Sequence, residues 1–140
     1  MDPEKPFGLS VRAVIFDKDG RCLLLKRSLK SKNYPGKWEF PGGKVDKDER
    51  FDAALIREVD EETTLEGSLL RFIGAASAEQ PTIIVIQIIM EVRVSPGCPT
   101  VSDEHEAFTW ASPLEMLEMP LVDWLLPFVR LHLHNFRGAN

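Results

Sequence analysis

The residues best suited to do chemistry lie between Glu49 and Glu62, a stretch of good helix formers without glycine or proline. On a helix turning about 100° per residue, Phe51, Leu55 and Val59 share one arc. Glu58 and Glu62, about 40° apart, fall into that arc near Phe51, and Glu61 lies about 60° from Glu58 on its other side. Carboxylates that serve only solubility belong opposite the apolar stripe, because burying an unpaired charge costs several kcal/mol. Three of them along one edge repel each other unless a divalent cation sits between them. A ligand set of oxygens alone, with no His or Cys, favours a hard cation such as Mg²⁺ or Mn²⁺.

The charge pattern around this stretch is uneven. The chain has 140 residues and a formal net charge of -5. From Asp46 to Glu62 there are eight acids against three bases, so this window carries the whole net charge. From Arg12 to Lys44 the sign reverses, with nine bases against three acids. A basic segment running into an acidic one is either a set of solvated faces or phosphate ligands beside a metal site. The mild overall acidity argues against a nucleic-acid polymer as partner and leaves a small nucleotide open. Cys22 and Cys98 form no CxxC or His-rich cluster, so a disulfide framework or zinc site is not expected and a reducing cytoplasm is the default. The N-terminal MDPEKPFG lacks a secretory apolar stretch, and the run Ile83 to Met90, broken by Gln87, is too short to cross a bilayer. No membrane partner is expected.

The elements that must position these carboxylates alternate in type. Leu9 to Phe16, the turn Asp17 to Gly20, and Cys22 to Leu25 read as a hairpin. Arg27 to Lys37 reads as a basic loop, and after Trp38-Glu39-Phe40 the run Pro41-Gly42-Gly43 halts regular structure. Leu69 to Ala75, Thr82 to Val94 and His105 to Trp110 read as strands. Ser112-Pro113-Leu114-Glu115 is a helix-start signal, and a last helix is expected from near Asp123 to about Phe136. Residues 1–140 read as one α/β domain.

The stretch Gly43-KVDKD-Glu49-RFDAALI-Arg57-Glu58-Val59-Asp60-Glu61-Glu62-Thr63-Thr64-Leu65 resembles the Nudix box, G-x5-E-x7-R-E-U-x-E-E-x-G-U with U aliphatic. It departs at one defined position, Thr64, where the family has glycine. Gly36-Lys37-Trp38-Glu39-Phe40-Pro41-Gly42-Gly43-Lys44 looks like the lead-in of the MutT-like branch, and Glu104-His105-Glu106 before Trp110, then Ser112 to Glu115, looks like its downstream pattern.

The resemblance implies an α/β/α sandwich around a mixed sheet and hydrolysis of a nucleoside diphosphate linked to another group. It puts Glu58, Glu61 and Glu62 on the family's metal-binding glutamates, Gly42 on a glycine whose carbonyl contacts metal, and Arg57 on an arginine that orients a glutamate. Glu49 pairs with that arginine, Gly43 opens the box, and Glu104 matches a carboxylate outside it that serves as metal ligand or general base. The proton of the attacking water goes to either Glu58 or Glu104. Arg27, Glu39, Phe40 and Asp123 are the candidate substrate contacts, although Asp123 also suits a helix N-cap. Trp38 and Trp124 could stack a base, and aromatics in such places are more commonly core.

The first expectation for activity is a (d)NTP pyrophosphohydrolase using Mg²⁺ or Mn²⁺, acting on oxidised or pyrimidine nucleotides, as a monomer or homodimer. An ADP-ribose or nucleotide-sugar pyrophosphatase is the alternative, suggested by Pro81 standing 16 residues after Leu65. A noncatalytic nucleotide-binding domain on the same fold is the third reading, disfavoured by the intact glutamates. The box glycine commonly needs positive φ, where a β-branched residue is strained, so Thr64 leaves room for the loop after Glu62 to take another path.

Overall fold

The computed structural model describes residues 5–136. Its strands are β1 (Phe7–Val14), β2 (Cys22–Arg27), β3 (Trp38–Glu39), β4 (Gly42–Lys44), β5 (Gly67–Glu79), β6 (Ile84–Val94) and β7 (His105–Ala111). Helices are α1 (Phe51–Thr63), α2 (Pro113–Met116) and α3 (Leu125–His132), followed by a 3₁₀ turn at Leu133–Asn135. Four strands form a mixed sheet in the order β4-β1-β6-β5, and three form an antiparallel sheet in the order β3-β2-β7. Of the pairings between these strands, β1–β6 is parallel and the others are antiparallel.

Strand periodicity explains the layers. Side chains alternate across a strand, so odd and even positions face opposite ways. Val11, Ala13, Ile15, Leu23 and Leu25 pack with Ala54, Leu55 and Val59 of α1. Val14, Cys22 and Leu24 pack instead with Met116, Leu125, Phe128 and Val129 of α2 and α3. Both faces of the sheets are therefore covered, which is why β1, β2 and β6 read as near-continuous apolar runs. The α/β/α sandwich with a mixed sheet is the architecture observed. Among the described residues no helix is long and apolar enough to cross a membrane.

Four details differ from the reading of the sequence. The hairpin of β1 and β2 survives only at its tip, where Phe16 bridges Cys22 and Leu23 N–H donates to the Ile15 carbonyl at 2.9 Å. Beyond that the two strands diverge into separate sheets, because each finds longer partners elsewhere. Gly42-Gly43 does not halt structure; it forms β4 against Ser10–Arg12 of β1. Phe51, placed on the apolar arc, is 46% exposed at the first turn of α1, whereas Leu55 and Val59 are fully buried. Asp123 does not cap α3: Trp124 is the N-cap and no side-chain cap bond forms. At α2 the capping box is complete, with Ser112 Oγ accepting from Glu115 N–H and Glu115 accepting from Ser112 N–H.

Thr64 keeps the left-handed conformation of a helix-ending glycine, at φ 63° and ψ 12°, and its N–H donates to the Asp60 carbonyl at 2.8 Å. The loop does not take another path. Its hydroxyl donates to the Thr63 carbonyl and lies 3.1 Å from Thr100 Oγ1, contacts that offset part of the strain.

Candidate active site

The carboxylates of α1 meet the glycines of β4. Glu58 and Glu62, with Gly42, Gly43 and Glu104, line a pocket of about 290 Å³ whose other walls include Arg12, Arg27 and Glu39. Two backbone positions make this approach possible. A Cβ on Gly43 would stand 2.7 Å from the Glu58 carboxylate, and one on Gly42, whose φ is 150°, would run into the Val11 carbonyl. Gly42 N–H donates to Glu62 Oε1 at 2.9 Å, so β4 holds the glutamate directly.

Arg57 stands behind these acids. It bonds Glu49 at 2.7 and 3.0 Å, Glu58 at 3.0 Å and Glu61 at 3.2 Å. The fork geometry of the guanidinium suits this splayed set of carboxylates. Glu49, bonded by Arg57, has its pKa lowered. Glu61 sits at the outer rim, 56% exposed, rather than in the pocket wall.

The electrostatics differ from one glutamate to the next. Burial pushes Glu62 up to about 8, against the opposing pull of Arg12 and the Gly42 N–H. Glu58 is also raised, first by burial and further by Glu61 and Glu104, with Arg57 opposing. Glu39 goes the other way: burial would raise it, but Arg12, the hydrogen bond from His105 and Arg27 together hold it below the usual range. Its carboxylate takes Arg12 at 3.3 Å, Arg27 at 3.0 Å and His105 Nε2 at 2.9 Å. The pocket thus pairs off Glu39 and leaves Glu62 a buried carboxylate with, among the described residues, one N–H donor and no ion-pair partner. A divalent cation fits that deficit of positive charge.

His105 was not foreseen as part of this set. Ligand-capable atoms of Glu62, Glu104 and His105 lie within 4.8 Å of one another, so an imidazole stands beside the carboxylates. The imidazole is bonded through Nε2 to Glu39, and Nδ1 has no partner among the described residues.

The proposed substrate contacts divide. Arg27 reaches the pocket, its Nε held by the Asn33 carbonyl at 2.8 Å and its Nη1 by Glu39. Glu39 lines the wall but is only 3% exposed. Phe40 is fully buried, edge-on to Phe136, which leaves its side chain no surface for a substrate. Asp123 is exposed and lines a separate cleft of about 380 Å³ with Tyr34, Trp124 and Phe128. Burial and then the Asp123 charge raise the Tyr34 phenol. Trp38 is half-buried against the core, and Trp124 is 6% exposed at the cleft edge.

Two residues that the sequence reading passed over are Arg12 and Gln87, both buried beneath the pocket and hydrogen-bonded to each other. The signal was present: Arg12 stands between Val11 and Ala13 and Gln87 between Ile86 and Ile88, and buried polar groups demand partners.

The NUDIX domain profile matches residues 6–132. A protein named CTP pyrophosphohydrolase, from Escherichia coli (strain K12), is 34% identical over 121 residues, which cover 86% of this chain and 88% of that one. A protein named nucleoside triphosphatase NudI, from Salmonella agona (strain SL483), is 28% identical over 113 residues, covering 73% of this chain and 80% of that one. The crystal structure of the MutT protein from Methanosarcina mazei Go1 superposes with a TM-score of 0.88 at 34% identity, over 94% of this chain and 96% of that one. With Glu58 and Glu62 of the box at one pocket and this likeness spanning nearly the whole chain, the protein belongs to the NUDIX family, as a MutT-like hydrolase acting on phosphoric anhydride bonds.

Proposed function

We propose that the protein is a Mg²⁺-dependent (d)NTP pyrophosphohydrolase, which converts a nucleoside triphosphate to the monophosphate and pyrophosphate. The observation that carries this reading is the continuity of three spaces. The carboxylate pocket shares Arg12, Arg27 and Glu39 with a small recess, and that recess shares Tyr34, Ala78 and Trp124 with the 380 Å³ cleft. A nucleoside in the cleft would run its phosphates past Arg27 to the carboxylates. The names of the Escherichia coli and Salmonella relatives support a triphosphate substrate.

Glu58, Glu61, Glu62, Glu104 and the Gly42 carbonyl would hold the cation. Bound there, Mg²⁺ or Mn²⁺ supplies charge neutralisation on phosphate oxygens and lowers the pKa of water. Glu58 or Glu104 accepts the proton of the attacking water as its oxygen bonds to phosphorus; the bridge between the first and second phosphates breaks and pyrophosphate leaves. Burial raises the pKa of Glu58 above the ordinary carboxylate value, which makes it a stronger proton acceptor. Arg57 fixes Glu58 and Glu61 in place, and Arg27, pinned by Glu39 and Asn33, presents positive charge to the phosphate chain.

The test is a product-release assay with Mg²⁺ over (d)NTPs, oxidised (d)NTPs, ADP-ribose, dinucleoside polyphosphates and nucleotide sugars. Pyrophosphate from a triphosphate is the expected result. AMP from ADP-ribose with no pyrophosphate from any triphosphate would replace this reading with the alternative.

A further inference from the structure

Gln87 interrupts the apolar run of β6 and is 3% exposed, hydrogen-bonded in register between Ser10 of β1 and Ala76 of β5. A carboxamide in such a place is costly unless both of its ends are used. One end is: Arg12 Nε donates to Gln87 Oε1 at 3.0 Å. Arginine can only donate, so this bond identifies the oxygen and turns the amide nitrogen the other way. Among the described residues Gln87 Nε2 has no hydrogen-bond partner. It borders the recess of about 60 Å³ between Tyr34 and Trp124 that opens beside the Asp123 cleft.

Arg12 cannot readily release its grip. Its Nη1 donates to the Phe40 carbonyl at 3.1 Å and pairs with Glu39 at 3.3 Å, and its guanidinium stands 6.0 Å from the Trp124 ring centroid. A flip of the Gln87 amide would set N–H groups against N–H groups. The recess therefore presents a donor of fixed direction, in a space that admits the edge of a flat ring rather than the whole ring.

We infer that Gln87 is a specificity-determining residue: its amide, locked by Arg12, donates to a ring nitrogen or carbonyl acceptor on the edge of the substrate's base. This rests on the triphosphate reading above. Uniform anchoring of a nucleotide would use its phosphates, which are the same for every base; a fixed donor at the base edge rejects any base that turns an N–H toward it, leaving two donors opposed.

The test is kcat/KM for triphosphates of the four bases, measured on the wild type, Gln87→Leu and Gln87→Glu. Glutamate keeps a partner for Arg12 and replaces the donor by an acceptor, so it serves even if leucine unsettles the fold. The wild type should favour its best base over its worst by about tenfold or more. Gln87→Leu should shrink that spread to about threefold, chiefly through KM on the favoured base. Gln87→Glu should lose about tenfold on the favoured base and gain on the poorest. Equal losses on all bases in both variants, or a wild type without base preference, would overturn the inference alone. A wild type that cleaves no triphosphate would overturn the reading beneath it, before any variant is compared.

Discussion

The carboxylate pocket and the Asp123 cleft lie side by side but are built in opposite ways. The pocket draws Glu58 and Glu62 from a single helix and sets them against Gly42 and Gly43 of one short strand. The cleft and its recess collect Tyr34 from a loop, Ala78 from β5, Gln87 from β6 and Trp124 from the start of α3. The pocket is dominated by carboxylates whose mutual repulsion Arg57 and Arg12 offset in part and a cation would offset further; the cleft is walled by alanines and aromatics with a few polar groups. On the proposed triphosphate reading, reaction class and substrate choice belong to different parts of the chain, and mutations should separate them.

The largest effect should come from the pocket. Glu62→Gln keeps the shape and the Gly42 N–H partner but removes the buried charge, and kcat should fall by about 10²–10³ with KM little changed. Arg57→Gln leaves Glu49, Glu58 and Glu61 unpaired and unaimed, so kcat should fall by about tenfold to a hundredfold in the same steady-state assay. In the cleft the pattern should reverse. Tyr34→Ala should raise KM by about three- to tenfold while kcat stays within about twofold. A KM effect from Glu62→Gln, or a kcat effect from Tyr34→Ala, would break the division.

The same contrast should appear without substrate. Glu62 titrates at about 8 when folded against 4.5 in its ordinary state, so the folded protein binds that proton more tightly than the unfolded chain. Its contribution to stability is fully present below about 4.5 and is lost as pH rises through 8. Thermal unfolding of the metal-free protein should show a midpoint that falls over this window, and Glu62→Gln should flatten the fall. The smallest effect belongs to Thr64→Gly at the far end of α1. Relief of the left-handed strain, set against the lost hydroxyl contacts, should stabilise the protein by about 1 kcal/mol or less, with activity changed less than tenfold.

The two regions also differ in how far the sequence foretells them. The helix at Phe51–Thr63 and its acidic edge were legible because their geometry follows from spacing within a few turns. The gathering of Gly42, Glu62 and Glu104 was legible only through the family resemblance. Nothing local announces that Pro41-Gly42-Gly43, a run of strand breakers, becomes a strand: β4 exists because Gly42 and Gly43 lack side chains and can lie close on β1 and under Glu58. The hairpin failed for a related reason, since its tip chemistry was right while the sheets outcompeted it for β1 and β2. Phe40 was a candidate substrate contact, but between β3 and β4 it packs into the core against Phe136 of the chain's far end. His105, Arg12 and Gln87 come together only through pairings between strands far apart in sequence, and no spacing rule reports those.

The most direct test of the central claim is to count products from the best triphosphate in Mg²⁺ with wild type and Glu62→Gln side by side. One pyrophosphate for each nucleoside monophosphate, with the rate falling at least a hundredfold in the variant, is the predicted result. Orthophosphate with nucleoside diphosphate, or a variant as fast as the wild type, would contradict it.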